Sequence, residues 1–181
     1  QLVQQMNGEI RCESELGKGS RFIVELPLAV IETEHRQEEK SAQIKQEPPR
    51  LDGIRILLAE DDPIIMEIAT EILSSQGAVI TQARDGRQAV KIFELAQENT
   101  FDILLLDMQM PVMGGCEAAR LIRALERGDA KSVPMIAVTA NTFTEDIAMT
   151  KQAGMDDHVA KPIDFANLCR VIDRFVHGES E

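Results

Sequence analysis

The sequence predicts, over residues 53–178, a small doubly wound α/β domain: a five-stranded parallel sheet with five helices packed on its two faces. Two observations carry this. Five short apolar runs alternate strictly with five longer amphipathic stretches. One run, Ile103 to Leu106, is apolar at every position, as a strand buried on both faces must be. A third observation concerns place, because acids, a hydroxyl and a lysine stand at the ends of four of the runs.

In chain order, strands are expected near 54–59, 79–83, 102–106, 134–138 and 157–160. Helices fill the gaps near 63–75, 86–97, 115–127, 144–152 and 164–176. The first helix has the clearest boundaries. Asp62 can accept hydrogen bonds from its free N–H groups, and Pro63 suits its first turn, where a missing N–H costs nothing. Gly77 then ends it.

Two further zones precede this domain. Residues 1–28 contain alternating segments on either side of Gly17-Lys18-Gly19-Ser20, the pattern of a β-hairpin. Residues 29–52 are rich in charge and Gln and carry a Pro-Pro pair, the composition of a linker. The chain starts at Gln1, and we expect it to be part of a longer protein.

Composition narrows the chemistry. The 181 residues are 44% hydrophobic, with six Phe and no Trp or Tyr, so the core must be aliphatic. A net charge of −12 argues against nucleic acid as a partner, since phosphate backbones call for Lys and Arg clusters. Cys12, Cys116 and Cys169 are scattered and form no metal-binding pair, a usage that suits a reducing cytoplasm. No apolar run approaches a membrane span, so no membrane contact is expected of this segment. An anchor further upstream in the parent protein is compatible with that.

In an open parallel sheet the functional crevice lies beyond the carboxyl ends of the strands. The first strand leads into Glu60, Asp61 and Asp62, and the third into Asp107. The fourth leads into Thr139, Ala140 and Asn141, and the fifth into Lys161-Pro162. Each has an ordinary structural reading alone: Asp62 as a helix cap, Thr139 as a strand residue, Lys161 as a surface charge. Four such coincidences at four strand ends are hard to sustain together. Carboxylates within about 4 Å repel by roughly 4 kcal/mol per pair at an effective dielectric near 20. Such a nest needs a cation, and all-oxygen ligands favour Mg²⁺. Asp107 beside it can act as a nucleophile toward phosphorus, with Thr139 and Lys161 holding the phosphoryl oxygens.

Glu60-Asp61, the DMQMPVMGG segment with Asp107, VTAN with Thr139 and AKPI with Lys161 together resemble the response-regulator receiver domain of two-component signalling. The resemblance spans residues 53–178 and implies a flavodoxin-like sheet of strand order 2-1-3-4-5. It implies that Asp107 is the phosphoacceptor, and that Glu60, Asp61, Asp107 and the backbone carbonyl of Gln109 hold Mg²⁺. Thr139 and His158 would then form the conformational switch, and the Lys161-Pro162 bond would be cis. Two departures stand out. Gly114 replaces the usual Asp that caps the third helix. His158 occupies a place where Tyr or Phe is common, and an imidazole can also carry charge.

Residues 1–28, ending in GEIRCESELGKGSRFIVELPL, are similar to the last helix and closing hairpin of a histidine-kinase ATPase domain. The ATP-binding stretches of that family would lie before Gln1. Neither His35, His158 nor His177 sits in a kinase-like helix, so we expect this segment not to be a kinase itself. GKGS is no phosphate loop either, because Gly19 stands where Ser or Thr is needed. The order of parts implies a hybrid histidine kinase. The phosphohistidine donor would be its own kinase core or a histidine phosphotransfer domain. Two rival readings make different demands on the site. A Mg²⁺-dependent phosphohydrolase would need a general acid where Gln109 stands. A degenerate receiver, serving only as an interaction module, would show a damaged acidic pocket.

Overall fold

The computed structural model describes residues 8–15, 19–25, 27, 48–140 and 144–178. The expected helix end before Gly8, the hairpin turn at Leu16-Gly17-Lys18, most of the linker with His35, and Asn141 lie outside these residues. The chain divides into two compact units, Gln1–Lys45 and Gln46–Glu181.

In the first unit, β1 (Glu9–Glu15) and β2 (Gly19–Glu25) form an antiparallel hairpin. Ile10 faces Val24, and Arg11 bridges to Glu25 at 2.7 Å. Gly19, the first residue of β2, has a φ of +102°, a conformation that glycine adopts readily.

In the second unit β3 (Arg55–Ala59), β4 (Val79–Ala83), β5 (Ile103–Asp107), β6 (Met135–Thr139) and β7 (Asp157–Ala160) alternate with α1 (Pro63–Ser75), α2 (Gly86–Leu95), α3 (Gly115–Arg123), α4 (Thr144–Gln152) and α5 (Phe165–His177). The strands pair in parallel in the order β4-β3-β5-β6-β7. Counted within this unit the order is 2-1-3-4-5, the doubly wound arrangement expected.

Period-two alternation sorts the strand residues onto two cores. Leu57, Leu104, Leu106 and Ala137 pack with Phe93 of α2 and Ala119 and Ile122 of α3. Ile56, Ile103, Leu105 and Ile136 pack with Met66 and Leu73 of α1 and Leu168 and Ile172 of α5. Burying each of the Leu, Ile, Met and Phe side chains contributes about 1.5–3 kcal/mol. Leu51, which the sequence reading leaves in the linker, is fully buried in the second core, and its N–H donates to Gln76 O at 2.8 Å.

Asp62 caps α1 as expected: its Oδ1 accepts from Ile64 N at 2.8 Å and Ile65 N at 3.2 Å. Gly77 follows α1 with φ +99°, and a Cβ there would meet Asp52 Oδ1 at 2.2 Å. Six elements shift at one or both ends, β3, β6 and α5 by a single residue. Helix α2 ends at Leu95 because Ala96 is extended, and α3 ends at Arg123, before a short 3₁₀ turn at Asp129–Lys131. Strand β5 runs one residue further than expected, so Asp107 closes the strand itself.

Candidate functional site

The site is built at the carboxyl edge of the sheet, where β3 and β5 lie side by side and β6 and β7 follow. Parallel pairing brings Ala59 opposite Leu106 and Thr139 opposite Ala160. Residues at the ends of these strands therefore share one edge.

Glu60 follows β3 and is 3% exposed. Its Oε1 accepts from Asp62 N at 3.2 Å, and its Oε2 from Lys161 Nζ at 2.8 Å. Asp107 ends β5 at 4% exposure; its Oδ1 accepts from Gln109 N at 3.1 Å and its Oδ2 from Lys161 Nζ at 2.7 Å. One ammonium thus bridges the two buried carboxylates. The Lys161-Pro162 bond is cis, and the Lys161 N–H donates to Thr139 O at 2.7 Å, tying β7 to the end of β6. Thr139 is 5% exposed.

Asp61 is exposed and completes the acidic group. Oxygens of Glu60, Asp61 and Asp107 lie within 4.8 Å of one another. By formal charge, three carboxylates against the single Lys161 ammonium leave two negative charges uncompensated. Burial pushes the Glu60 carboxyl above its usual range; the Asp107 charge adds to that push, and the Lys161 hydrogen bond only partly offsets it. Burial works against the Lys161 charge too, but its bonds to Asp107 and Glu60 prevail and hold its pKa above the usual lysine value. Both directions have one origin: the lysine is shared by two acids, while neither acid has a cation of its own.

The donor set fits Mg²⁺. It is all oxygen, it offers several carboxylates within the span of one ion, and it lacks the two positive charges such an ion would supply. The structure brings Glu60, Asp61, Asp107 and Lys161 together, with Thr139 at the end of the adjacent strand. The contact it shows for Gln109 is through the backbone N–H to Asp107.

The sequence reading missed the support from Gly115. A Cβ there would stand 2.5 Å from Asp107 O, so the start of α3 presses against the backbone of the acid. The signal available was the Gly114-Gly115 pair itself. As the sequence suggested, Gly114 offers α3 no side-chain cap.

A groove of about 760 Å³ runs from Glu60 and Asp61 along Glu67, Thr70 and Glu71 of α1 to Gln82 and Arg84. His158 lies apart, with its side chain 29% exposed and its Nδ1 3.7 Å from Asp157 Oδ1. It borders a separate cavity of about 290 Å³ with Lys151, Met155 and Arg174.

Comparison with known proteins agrees with this geometry. Residues 56–173 match the family model described as response regulator receiver domain. Histidine kinase 1 of Arabidopsis thaliana is 37% identical over 144 residues, covering 63% of this chain and 12% of that protein. Hybrid signal transduction histidine kinase I of Dictyostelium discoideum is 35% identical over 121 residues, covering 66% of this chain and 7% of that one. The chain thus spans a small fraction of the curated relatives it matches. Among solved structures, the receiver domain of a sensor histidine kinase from Pseudomonas aeruginosa PAO1 is 39% identical, with a TM-score of 0.63 over 69% of this chain and 98% of that one. That structure has a magnesium ion coordinated in its active site cleft. The Saccharomyces cerevisiae receiver domain of Ssk1, crystallised with the histidine phosphotransfer protein Ypd1, is 25% identical with a TM-score of 0.61, covering 70% of this chain and 90% of that one.

Proposed function

We propose, for a chain that belongs to the response regulator receiver domain family, that Asp107 accepts a phosphoryl group from a phosphohistidine. The carrying observation is the bridge from Lys161 to Asp107 and Glu60 inside an acidic cluster that lacks two positive charges. A carboxylate in this setting is a fixed oxygen nucleophile whose surroundings are prepared for a cation and a phosphoryl group.

In the transfer, an Asp107 oxygen forms a bond to phosphorus as the N–P bond of the donor imidazole breaks. Gln109 N–H and Lys161 Nζ hold the two Asp107 oxygens and so fix the carboxylate plane. Lys161 then follows the charge from the carboxylate to the new phosphoryl oxygens. Thr139, at the end of the neighbouring strand, donates its hydroxyl to the same group. Glu60, Asp61 and Asp107, with the Gln109 carbonyl, would hold Mg²⁺, which neutralises phosphoryl charge when bound.

The donor is a histidine phosphotransfer domain or the kinase core of the same polypeptide. Similarity to hybrid kinases supports that parent, with residues 1–28 as the close of its ATPase domain. Treatment of the whole chain with acetyl phosphate and Mg²⁺ should give a single acid-stable, base-labile acyl phosphate. Asp107→Asn should give none, because an amide is no nucleophile toward phosphorus. Equal incorporation in the variant would transfer the role to another residue, and no incorporation into the unaltered chain would favour a pure interaction module.

A further inference from the structure

The segment that leaves Asp107 and returns as α3 is tied back onto its own beginning. Gly115 N–H donates to Met108 O at 3.3 Å, and a Cβ on Gly114 would stand 2.7 Å from that same oxygen. Between these points the chain makes one tight turn. Met113 N–H donates to Pro111 O at 2.8 Å across Val112, whose φ is +69°. A hydrogen bond spanning two residues around a positive φ is the rare, strained hand of the γ-turn. Valine suits it poorly, because a β-branched side chain is stiff and a Cβ crowds the backbone in the left-handed region. The Val112 side chain is 66% exposed, so its burial does not offset that strain. The turn is held from outside Val112, by the start of α2. Gly86 N–H donates to Met113 O at 3.0 Å, and a Cβ on Gly86 would stand 2.6 Å from that oxygen and 2.9 Å from Met113 Cγ. An approach this close is open to glycine alone. Gln109 lies inside the tied segment, and its N–H fixes one Asp107 oxygen at 3.1 Å. Pro111 stiffens the path between Gln109 and the turn, since its ring fixes φ.

We propose that Val112 and Gly86 are positioning residues for the phosphoryl transfer: the strained turn at Val112, latched to the first residue of α2, holds the Gln109 peptide against Asp107. The proposal rests on Asp107 being the phosphoacceptor. The turn has two arrangements. Latched, it carries the positive φ of Val112 and sets the Gln109 N–H on Asp107. Released, Val112 relaxes to a negative φ and the Gln109 peptide leaves the carboxylate. Strain at Val112 favours release, and the Gly86–Met113 contact opposes it. A left-handed penalty corresponds to about five- to thirtyfold in an equilibrium, so the latch must outweigh that factor for the carboxylate to be set. The seat of α2 on the segment after β5 thereby bears on chemistry at Asp107.

The test uses the whole chain and two readouts: the Gln109 amide by NMR and, with Mg²⁺ and acetyl phosphate, the rate of acyl-phosphate formation. Val112→Pro forbids a positive φ at an exposed position, and Gly86→Ala crowds the latch. Each should shift the Gln109 amide and slow phosphorylation about tenfold or more, the scale expected when a reacting group is misplaced. Gly86→Ala combined with Val112→Asn should win back about fivefold of that loss, because Asn accepts a positive φ more readily than Val. Damage to packing alone would not be repaired by a second substitution on the surface. An unaltered rate and amide in Val112→Pro, or no recovery in the double variant, overturns the proposal while leaving Asp107 as phosphoacceptor. If the unaltered chain forms no acyl phosphate, the phosphoacceptor reading fails, and the Gln109 amide still decides whether the latch positions that peptide.

Discussion

The two edges of the parallel sheet handle charge in opposite ways. At the amino edge each buried or half-buried acid has an arginine. Arg55 holds Asp102 at 2.6 and 2.9 Å, and Arg123 holds Asp156 at 2.9 Å. Arg127 holds Asp129 at 2.7 and 2.9 Å. Arg123 and Arg127 also serve backbone carbonyls left open at helix ends and turns. Arg127 bonds Phe93 O and Ala96 O at the end of α2, and Arg123 bonds Ala130 O, Val133 O and Gly154 O. At the carboxyl edge three acids have one lysine. Balanced charge closes the fold, and unbalanced charge is held ready for a ligand.

Breaking a balanced pair should therefore cost stability and leave the chemistry intact. Arg127→Ala strands Asp129, which is 6% exposed, together with the carbonyls that end α2. Removing one partner of such a pair costs about 3–5 kcal/mol. Urea unfolding should show that loss, while Mg²⁺ affinity at low urea stays unchanged. A loss under about 1 kcal/mol would mean that water replaces the guanidinium freely.

The edges should also pull stability in opposite directions along pH. The Arg55 and Arg127 hydrogen bonds hold Asp102 and Asp129 below the usual carboxylate range. Their contribution is present above that range and is lost as pH falls through the lowered values. Burial holds Glu60 above the range, so its contribution is present at low pH and is lost as pH rises through the raised value. Without metal, the thermal midpoint should rise with pH at the acidic end and then sag above the usual Glu value of 4.5. Glu60→Gln should remove the sag. Parallel profiles in the two chains would show that burial of Glu60 carries no such cost.

The smallest effect belongs to Asp62. It adjoins the acidic cluster but spends its carboxylate on Ile64 N and Ile65 N. Asp62→Ala should cost about 1 kcal/mol of stability and leave Mg²⁺ affinity within error, by unfolding and calorimetry respectively. A marked loss of Mg²⁺ affinity would place Asp62 among the ligands.

The sequence showed one edge far better than the other. Glu60, Asp107, Thr139 and Lys161 were legible because each follows or closes an apolar strand, and a parallel sheet gathers such positions. Asp62 was legible as a cap because Pro63 follows it. The arginine network at the amino edge was not. Arg123 and Arg127 lie on a helix and the loop after it, where charge usually means solvent, and their carbonyl partners carry no side-chain signal. Gly115 was hidden for a similar reason, since its role is to leave room for Asp107 O. Leu51 sits beyond a Pro-Pro pair in a charged stretch, and only its packing under α1 reveals it as core.

Thermal unfolding with and without Mg²⁺, in the unaltered chain and in Asp61→Asn, tests most directly whether a divalent cation completes the carboxyl edge. Mg²⁺ should raise the midpoint of the unaltered chain, because it binds a cluster that only the folded state assembles. The rise should shrink strongly in Asp61→Asn, which removes one of the two uncompensated charges and leaves only a neutral amide oxygen as ligand. No rise in the unaltered chain, or an equal rise in both, would contradict the assignment of that edge as a Mg²⁺ site.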